Sequence, residues 1–572
     1  MKFIIKKIYI IFFLLIALLS TSKTFARDNN IKYAGENISN YFLGVISANQ
    51  GHSKEAFKYL KKVQSIKNKH SQFNVEFIRT NVLLGKFDQA FAFSKNAWKK
   101  DELFFETDLL LGLDYFVKKD YLSAERHFKR LNKTSEYNIF FDNFFGNIMM
   151  AWIKASEGDK MESFKFIEKI PSPYHHFKSM QNIFLQCYFD SNYTQSSLEE
   201  LIQNEDYNFS RYNFFLTHYL LSKNKSIEAK RIIQNSRKKD NSNLLLRQTE
   251  YFLKNNENEK IKNIFNCKDP RDSLAEIFYT IANLYSSEKA YQQSNFYLQI
   301  SIFLNKKFTP NKALLAENFY YQKKNKEAKK IYYSLKSIGD AYSWHSSKSI
   351  ATILLQEKGK KNSLDSLKKD FHLLSNPNFE HYFDLANFYK DNEYYNESIK
   401  YYSLALEKIT KNHPLIPKIY DRRGTSFERL EEWENAEKDL LKSLEILPDQ
   451  AHVLNYLAYT WVDKGINLDK GLEMLKKATE LRKNDGYIID SLGWAYYAKK
   501  DFTKAKFFLQ RAVKLLPMDP IINDHYADAL WMLNKNIQAR YIWRSILELD
   551  DVDQELKDNI KKKLIFGITK KL

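Results

Sequence analysis

The chain has 572 residues and a formal net charge of +20, from 89 basic and 69 acidic side chains. Hydrophobic residues reach 44% and aromatics 15%, enough apolar surface for a core, which excludes a disordered chain. Gly (15) and Pro (10) are too scarce for a turn-rich all-β protein.

In chain order, Lys2, Lys6 and Lys7 precede an apolar run from Ile8 to Leu19, followed by Thr24-Phe25-Ala26. This is the pattern of a secretory signal peptide cut after Ala26, with residues 1–26 removed. The apolar run is short of the roughly 20 residues that a membrane span needs. An uncleaved membrane tether is the alternative. Cleavage removes four lysines and leaves +16. No cysteine follows the run, so no lipid anchor is expected.

Next comes an array. Small residues recur on one helical face, with an Ala twelve positions further on. Gly44 with Ala56, Ile78 with Ala90, and Gly112 with Ala124 advance in steps of 34. Ala151 with Ser163 gives a weaker unit ended by Pro171 and Pro173. These define an N-terminal array over 27–174. The pattern degenerates over 175–270, where only Thr217 with Ala229 keeps the spacing; divergent helical pairs and a joint are expected there.

A central array over 271–375 holds Ala282 with Tyr285, and Ala316 with Phe319 and Ala328. Its end, 341–375, is poor in markers, and Glu357–Asn362 is expected to be a solvated loop. The pattern sharpens over 376–550 at Ala386, Gly424, Ala458, Gly493 and Ala527. The tail 551–572 carries an amphipathic helix from Asp553 to Phe566, expected to cap the last apolar face.

The sharpest stretch is Gly486–Pro517. Ile489, Leu492, Gly493 and Tyr496 share one face, and Ala505, Leu509, Ala512 and Leu516 another. The order of small and large residues resembles the tetratricopeptide repeat, a helix-turn-helix unit of 34 residues. The resemblance implies an all-α fold: a right-handed superhelical α-solenoid of about a dozen such repeats, whose first helices line a concave groove. It implies that repeat positions 2, 5, 9, 12 and 13 face that groove. Near the C-terminus these carry Arg429; His452, Asn455 and Tyr459; Tyr487, Asp490, Trp494 and Tyr497; and Asp524, Asp528 and Trp531. Large aromatics and Asp suit a protein or peptide ligand. Trp494 and Trp531 are equally compatible with packing between units. Asp524 and Asp528, one helical turn apart, would favour a basic segment in the partner.

The segments LNYLAYTWVDKG, GYIIDSLGWAYYAKKDF and HYADALWMLNKNIQARYIW resemble more specifically the tetratricopeptide proteins of proteobacterial envelopes. Their members include a lipoprotein adaptor that delivers substrates to a carboxy-terminal processing protease. Such relatives are anchored at an N-terminal Cys that this chain lacks.

Cys187 and Cys267 lie 80 positions apart, more than two repeat units. Packed helices sit about 8–10 Å apart, and a disulfide needs Cα atoms within about 7 Å. Two unpaired, mostly buried thiols are expected.

No zinc-protease, paired-cysteine, nucleophile-elbow or phosphate-loop motif occurs. His175-His176 lacks further ligands nearby and is expected to be an exposed loop pair. No catalysis, cofactor or metal is expected. Lysines interleave with acids, so nucleic acid is not the expected partner; a weak association with anionic membrane surface fits the charge better. The expectation is a non-catalytic scaffold or adaptor of the bacterial cell envelope, exported and periplasmic. Its partner would be an envelope protein or peptide, such as a periplasmic protease or wall hydrolase. The alternatives are an assembly factor for cell-wall or polysaccharide-export machinery, and an enzyme with a cryptic site in 175–270.

Overall fold

The computed structural model describes residues 35–66, 70–99, 102–135, 143–204, 209–239, 243–549 and 552–568. The expected leader and its cut at Ala26 lie outside them. Among the described residues the regular structure is helical throughout, with no strand. Antiparallel helical pairs follow one another as an α-solenoid. They form two compact units, one ending at Tyr342 and the other beginning at Ser343.

The pair Gly486–Ala498 and Phe502–Leu515 shows how sequence makes a unit. The Asp485 side chain accepts the N–H groups of Tyr487 and Ile488 and so starts the first helix. Lys500, in the left-handed conformation at φ 62°, ends it. There the Asp501 N–H donates to the Tyr496 carbonyl at 2.9 Å and the Lys500 N–H to the Tyr497 carbonyl at 2.8 Å. Asp501 then caps the second helix through the Lys504 N–H. Left-handed turn residues recur at the same step of 34: Gly51, Gly85 and Lys119, then Lys289 and Lys323, then Lys500 and Asn534.

Three of the crossings require glycine. A Cβ on Gly44, Gly112 or Gly493 would fall 2.6, 2.2 or 2.6 Å from Leu60, Phe128 or Leu509. Each of those large residues lies sixteen positions after its glycine and is fully buried or nearly so. The marker alanines Ala56, Ala124 and Ala505 are fully buried beside them.

The first unit closes on itself. The Tyr291–Leu304 helix returns to the first pairs, so that Phe303 stacks on Phe87 with ring centroids 4.5 Å apart. Gln292 Nε2 donates to the Asn49 carbonyl at 2.8 Å, and Lys54 pairs with Glu327 at 2.9 Å. One hydrophobic core runs from Ala56 to Leu315.

This closure overturns the expectation of free thiols: Cys187 and Cys267 form a disulfide with Cα atoms 5.9 Å apart. The physical reason is that the solenoid does not advance steadily here. Helices His175–Tyr188 and Pro270–Ser287 pack on each other, and the 80 residues between the cysteines leave and return. Lys268 closes the same junction: its Nζ donates to the Tyr188 carbonyl at 2.7 Å and pairs with Asp190. The divergent segment is also tied to its neighbour through Arg211, which pairs with Glu276 at 2.7 Å.

The second unit is built by succession. Its opening region, expected to hold a loop at 357–362, is instead two helical arms inside Asp340–His372, broken at Gly359 with φ 79°. The exposed residues around Gly359 form the corner. Trp344, Leu367 and Phe371 are buried against Leu385 and Tyr389 of the next pair. Lacking a 34-residue marker, this pair is recognisable only by its burial. At the other end, the Gln554–Phe566 helix covers the last pair, with Ile560 buried beside Trp543 and Leu530.

Candidate functional site

A groove of about 760 Å³ opens on the second unit. Its walls come mainly from the helices Ile416–Arg429, Ala451–Asp463 and Gly486–Ala498, the first helices of three successive pairs, with Lys390 of the Phe379–Asp391 helix and the turns before each helix at its edges. Of the sequence-derived candidates, His452, Asn455 and Tyr487 line it. Tyr487 is 59% exposed. His452 Nε2 lies 3.2 Å from an Asp421 carboxylate oxygen. Asn455 Oδ1 is buried and has no hydrogen-bond partner among the described residues.

The groove is mostly cationic. Lys390, Lys418, Arg422 and Arg482 face it against Asp421 and Asp485. Arg422 is held by the Asn387 side-chain oxygen, and Arg482 sits 3.6 Å from Asp485. Tyr456 donates its hydroxyl to Glu428 at 2.5 Å; burial and that carboxylate push its ionisation well up, so it stays a neutral donor.

Lys418, Asp421 and Arg422 were absent from the sequence-derived set. The signal was present: Lys418 and Asp421 stand six and three residues before Gly424, as His452 and Asn455 stand before Ala458. Second and fifth positions thus line the groove in two successive units, and the next adds only its second position, Tyr487.

The remaining candidates sit as follows. Arg429 ends its helix, exposed, 3.7 Å from Glu428. Tyr459 is half-buried, and burial pushes its hydroxyl up to about 12. Asp490 is buried against His525, whose Nδ1 lies 3.0 and 3.1 Å from its oxygens. Trp494 lies between two rings, Tyr497 at 4.5 Å and His525 at 4.0 Å, both nearly parallel to it. Asp490 and Trp494 thus bind their pair to the next through His525.

Asp524 and Asp528 are buried, and each accepts from Lys563 Nζ at 2.8 Å. The basic segment expected from a partner is here the chain's own terminal helix. Asp528 also accepts from Trp543 Nε1 at 3.2 Å. Burial, with Asp524 beside it, pushes the Asp528 carboxyl up to about 6, while Lys563 opposes the shift. Trp531 packs beside Trp543 at 5.5 Å and under the Arg540 guanidinium at 5.0 Å. Gly567 lies on its ring so closely that a Cβ there would fall 2.0 Å from it. The C-terminal helix and the residue after it thus occupy this end of the array.

His175 opens the His175–Tyr188 helix rather than lying in a loop, with Nδ1 3.1 Å from the Ser172 carbonyl oxygen. Among the described residues no group of His, Cys, Asp and Glu is placed to hold a metal ion, and no helix is long and apolar enough to cross a membrane.

The family model of the tetratricopeptide repeat matches residues 39–70, 380–407 and 489–517. The chain carries tetratricopeptide repeats. A tetratricopeptide repeat-containing protein of Pseudomonas aeruginosa is 29% identical over 113 residues, which is 20% of this chain and 19% of that protein. The match thus spans about a fifth of that relative's length. Among solved structures, a tetratricopeptide repeat protein from Parabacteroides merdae is similar over 39% of this chain and 88% of its own, at 17% identity and a TM-score of 0.34. The C-terminal part of one from Cytophaga hutchinsonii is similar over 35% of this chain and 78% of its own, at 16% identity and a TM-score of 0.30.

Proposed function

We propose that this chain is a non-catalytic protein-binding scaffold or adaptor of the bacterial cell envelope, exported to the periplasm, that holds a partner protein or peptide in the groove of its second unit. The observation that carries this reading is the groove itself. An exposed Tyr487, an unsatisfied buried Asn455 oxygen and four cations lie along one open channel. A buried acceptor without a donor costs roughly 1–3 kcal/mol, which a ligand N–H would recover. The cations outnumber the acids, so the segment bound is acidic rather than basic.

Export is supported by the Cys187–Cys267 disulfide, since such bonds persist in oxidising compartments. The leader ending at Ala26 supports it from the sequence. A periplasmic protease or a wall hydrolase is the partner class that the C-terminal resemblance favours.

A crosslinking pull-down from envelope fractions tests the reading, comparing the full chain with a Lys418→Glu/Tyr487→Ala variant. Loss of one dominant protein, with helix content by circular dichroism unchanged, is the expected result and names the partner. An unchanged partner list rejects the groove.

A further inference from the structure

The closure of the first unit creates a second, smaller cavity. It has a volume of about 260 Å³ and lies between helices Ser71–Leu83 and Phe105–Val117 on one side and Pro270–Ser287 and Tyr291–Leu304 on the other. Its walls are brought together from segments about two hundred residues apart, so it is a product of closure and has no counterpart in a single repeat.

The walls carry an unbalanced charge. Glu76 is only 8% exposed and Glu106 only 5%. Arg79, on the rim, donates from Nε to Glu106 at 2.7 Å. One guanidinium thus stands beside two carboxylates. Among the described residues Glu76 accepts a hydrogen bond from Gln72 Nε2 at 2.9 Å, and its side chain lines the cavity. Burial, with Glu106 adding, pushes the Glu76 carboxyl above its ordinary range, and Arg79 only partly opposes this. A buried carboxylate without a full counter-charge is costly, and a cation delivered to it is correspondingly favoured.

The remaining wall suits a cation as well. The Tyr285 ring lines the cavity and stacks on Tyr297, nearly parallel at 5.6 Å. Aromatic faces attract ammonium and guanidinium groups. Gln292 gives one amide N–H to the Asn49 carbonyl and also lines the cavity. The lining thus carries two carboxylates and two tyrosine rings, and its cationic side chain, Arg79, is engaged by Glu106.

We propose that this cavity is a binding site for a single cationic group, the ammonium or guanidinium of a lysine or arginine side chain or of a small amine. The volume admits such a group together with the side chain or small amine that bears it. The site is separate from the groove of the second unit and has the opposite charge preference.

Isothermal titration of the full chain tests this with four probes: N-acetyl-arginine methylamide, N-acetyl-lysine methylamide, butylammonium, and the neutral N-acetyl-citrulline methylamide. At least one cation is expected to bind at millimolar concentration, and citrulline at least tenfold more weakly than arginine, about 1.4 kcal/mol. Glu76→Gln, which keeps the side-chain volume and the contact with Gln72, is expected to weaken the cation at least tenfold with helix content unchanged. Tyr285→Leu serves as the second variant and is expected to weaken it without removing any charge. Binding of butylammonium assigns the site to a small amine; binding of the acetylated residues alone assigns it to a peptide. Equal binding of citrulline and arginine, absence of binding by every cation, or unchanged affinity in Glu76→Gln overturns the proposal. Lys418→Glu/Tyr487→Ala is expected to leave cation binding unchanged, so failure of the groove and failure of this site are separately visible.

Discussion

The two units use the same repeat chemistry and differ in where their contacts lie along the sequence. In the first, Phe87 meets Phe303, Lys54 meets Glu327, and Cys187 is bonded to Cys267. In the second, the ion pairs join near neighbours: Lys348 with Asp384, Asp469 with Lys499, and Lys563 with Asp524. A solenoid with neighbour contacts only is close to a one-dimensional chain of units, whose stability is a sum of local terms. Closure adds long-range terms that no single repeat supplies. The first unit should therefore unfold as one body, and the second should open from within, pair by pair.

The largest effect expected on this contrast is loss of the disulfide. In the chain-entropy description, a closed loop of about 80 residues is worth about 4.5 kcal/mol. Cys187→Ser/Cys267→Ser should lower the unfolding free energy of the first unit by that order, moving its denaturant midpoint down, and leave the transition of the second in place. Urea unfolding followed by hydrogen-exchange mass spectrometry reads both. Equal shifts in the two units would abolish the distinction.

The crossing glycines sharpen the comparison. A Cβ at Gly112 would fall 2.2 Å from Phe128, and one at Gly493 would fall 2.6 Å from Leu509. Leucine at either place overpacks the crossing by about 1–3 kcal/mol. The cost is similar, but its reach differs. Gly112→Leu should raise hydrogen exchange across the first unit, including the seam at Phe303. Gly493→Leu should raise it in its own pair and the adjacent ones. A Gly493→Leu chain that unfolds globally in one transition with the wild-type m-value would contradict the local picture.

A smaller effect separates the inner pairs of the second unit from its end. Burial alone would lower the His525 pKa, but the Asp490 carboxylate, with Asp524 and Asp528 adding, holds it above its ordinary value. Because the folded value is raised, the stabilisation is fully present below the unfolded value of about 6.5 and is lost as pH rises through the folded value. Asp490→Asn should therefore destabilise the last pairs most at about pH 6, by about 1 kcal/mol, and progressively less in more alkaline buffer. Thermal melts of both proteins across that range check it; a difference independent of pH would mean that His525 stays neutral in the fold.

What the sequence revealed follows the same line. The pairs were legible because Gly44, Gly112 and Gly493 each repeat a local requirement at a fixed step. The disulfide was not, because steady stacking would hold residues 80 apart well beyond bonding distance, and only the packing of His175–Tyr188 on Pro270–Ser287 shortens the path. Half of the groove was legible. His452, Asn455 and Tyr487 follow from repeat position, whereas Asp524 and Asp528 have the right position but a partner inside the chain. Nothing local marks Lys563 as that partner, since Lys561 and Lys562 precede it with the same side chain.

The turn between paired helices gives the smallest effect. Gly51 and Gly85 occupy the left-handed position at the start of the array, whereas Lys119, Lys289, Lys323 and Lys500 occupy it later. A side chain there brings Cβ toward the following carbonyl oxygen, which glycine avoids. Lysine at these turns also escapes detection by sequence, since glycine is the residue that marks a helix end. Lys500→Gly should relieve the strain, and the added freedom of the unfolded chain should return part of the gain. A net stabilisation of about 0.5–1 kcal/mol is expected, confined to the Gly486–Leu515 pair. In the closed first unit, Lys119→Gly should give a similar gain but spread it over the whole cooperative body. Hydrogen exchange resolves the two: protection rising only around residue 500 in one variant, and throughout the first unit in the other, is the pattern that closure requires.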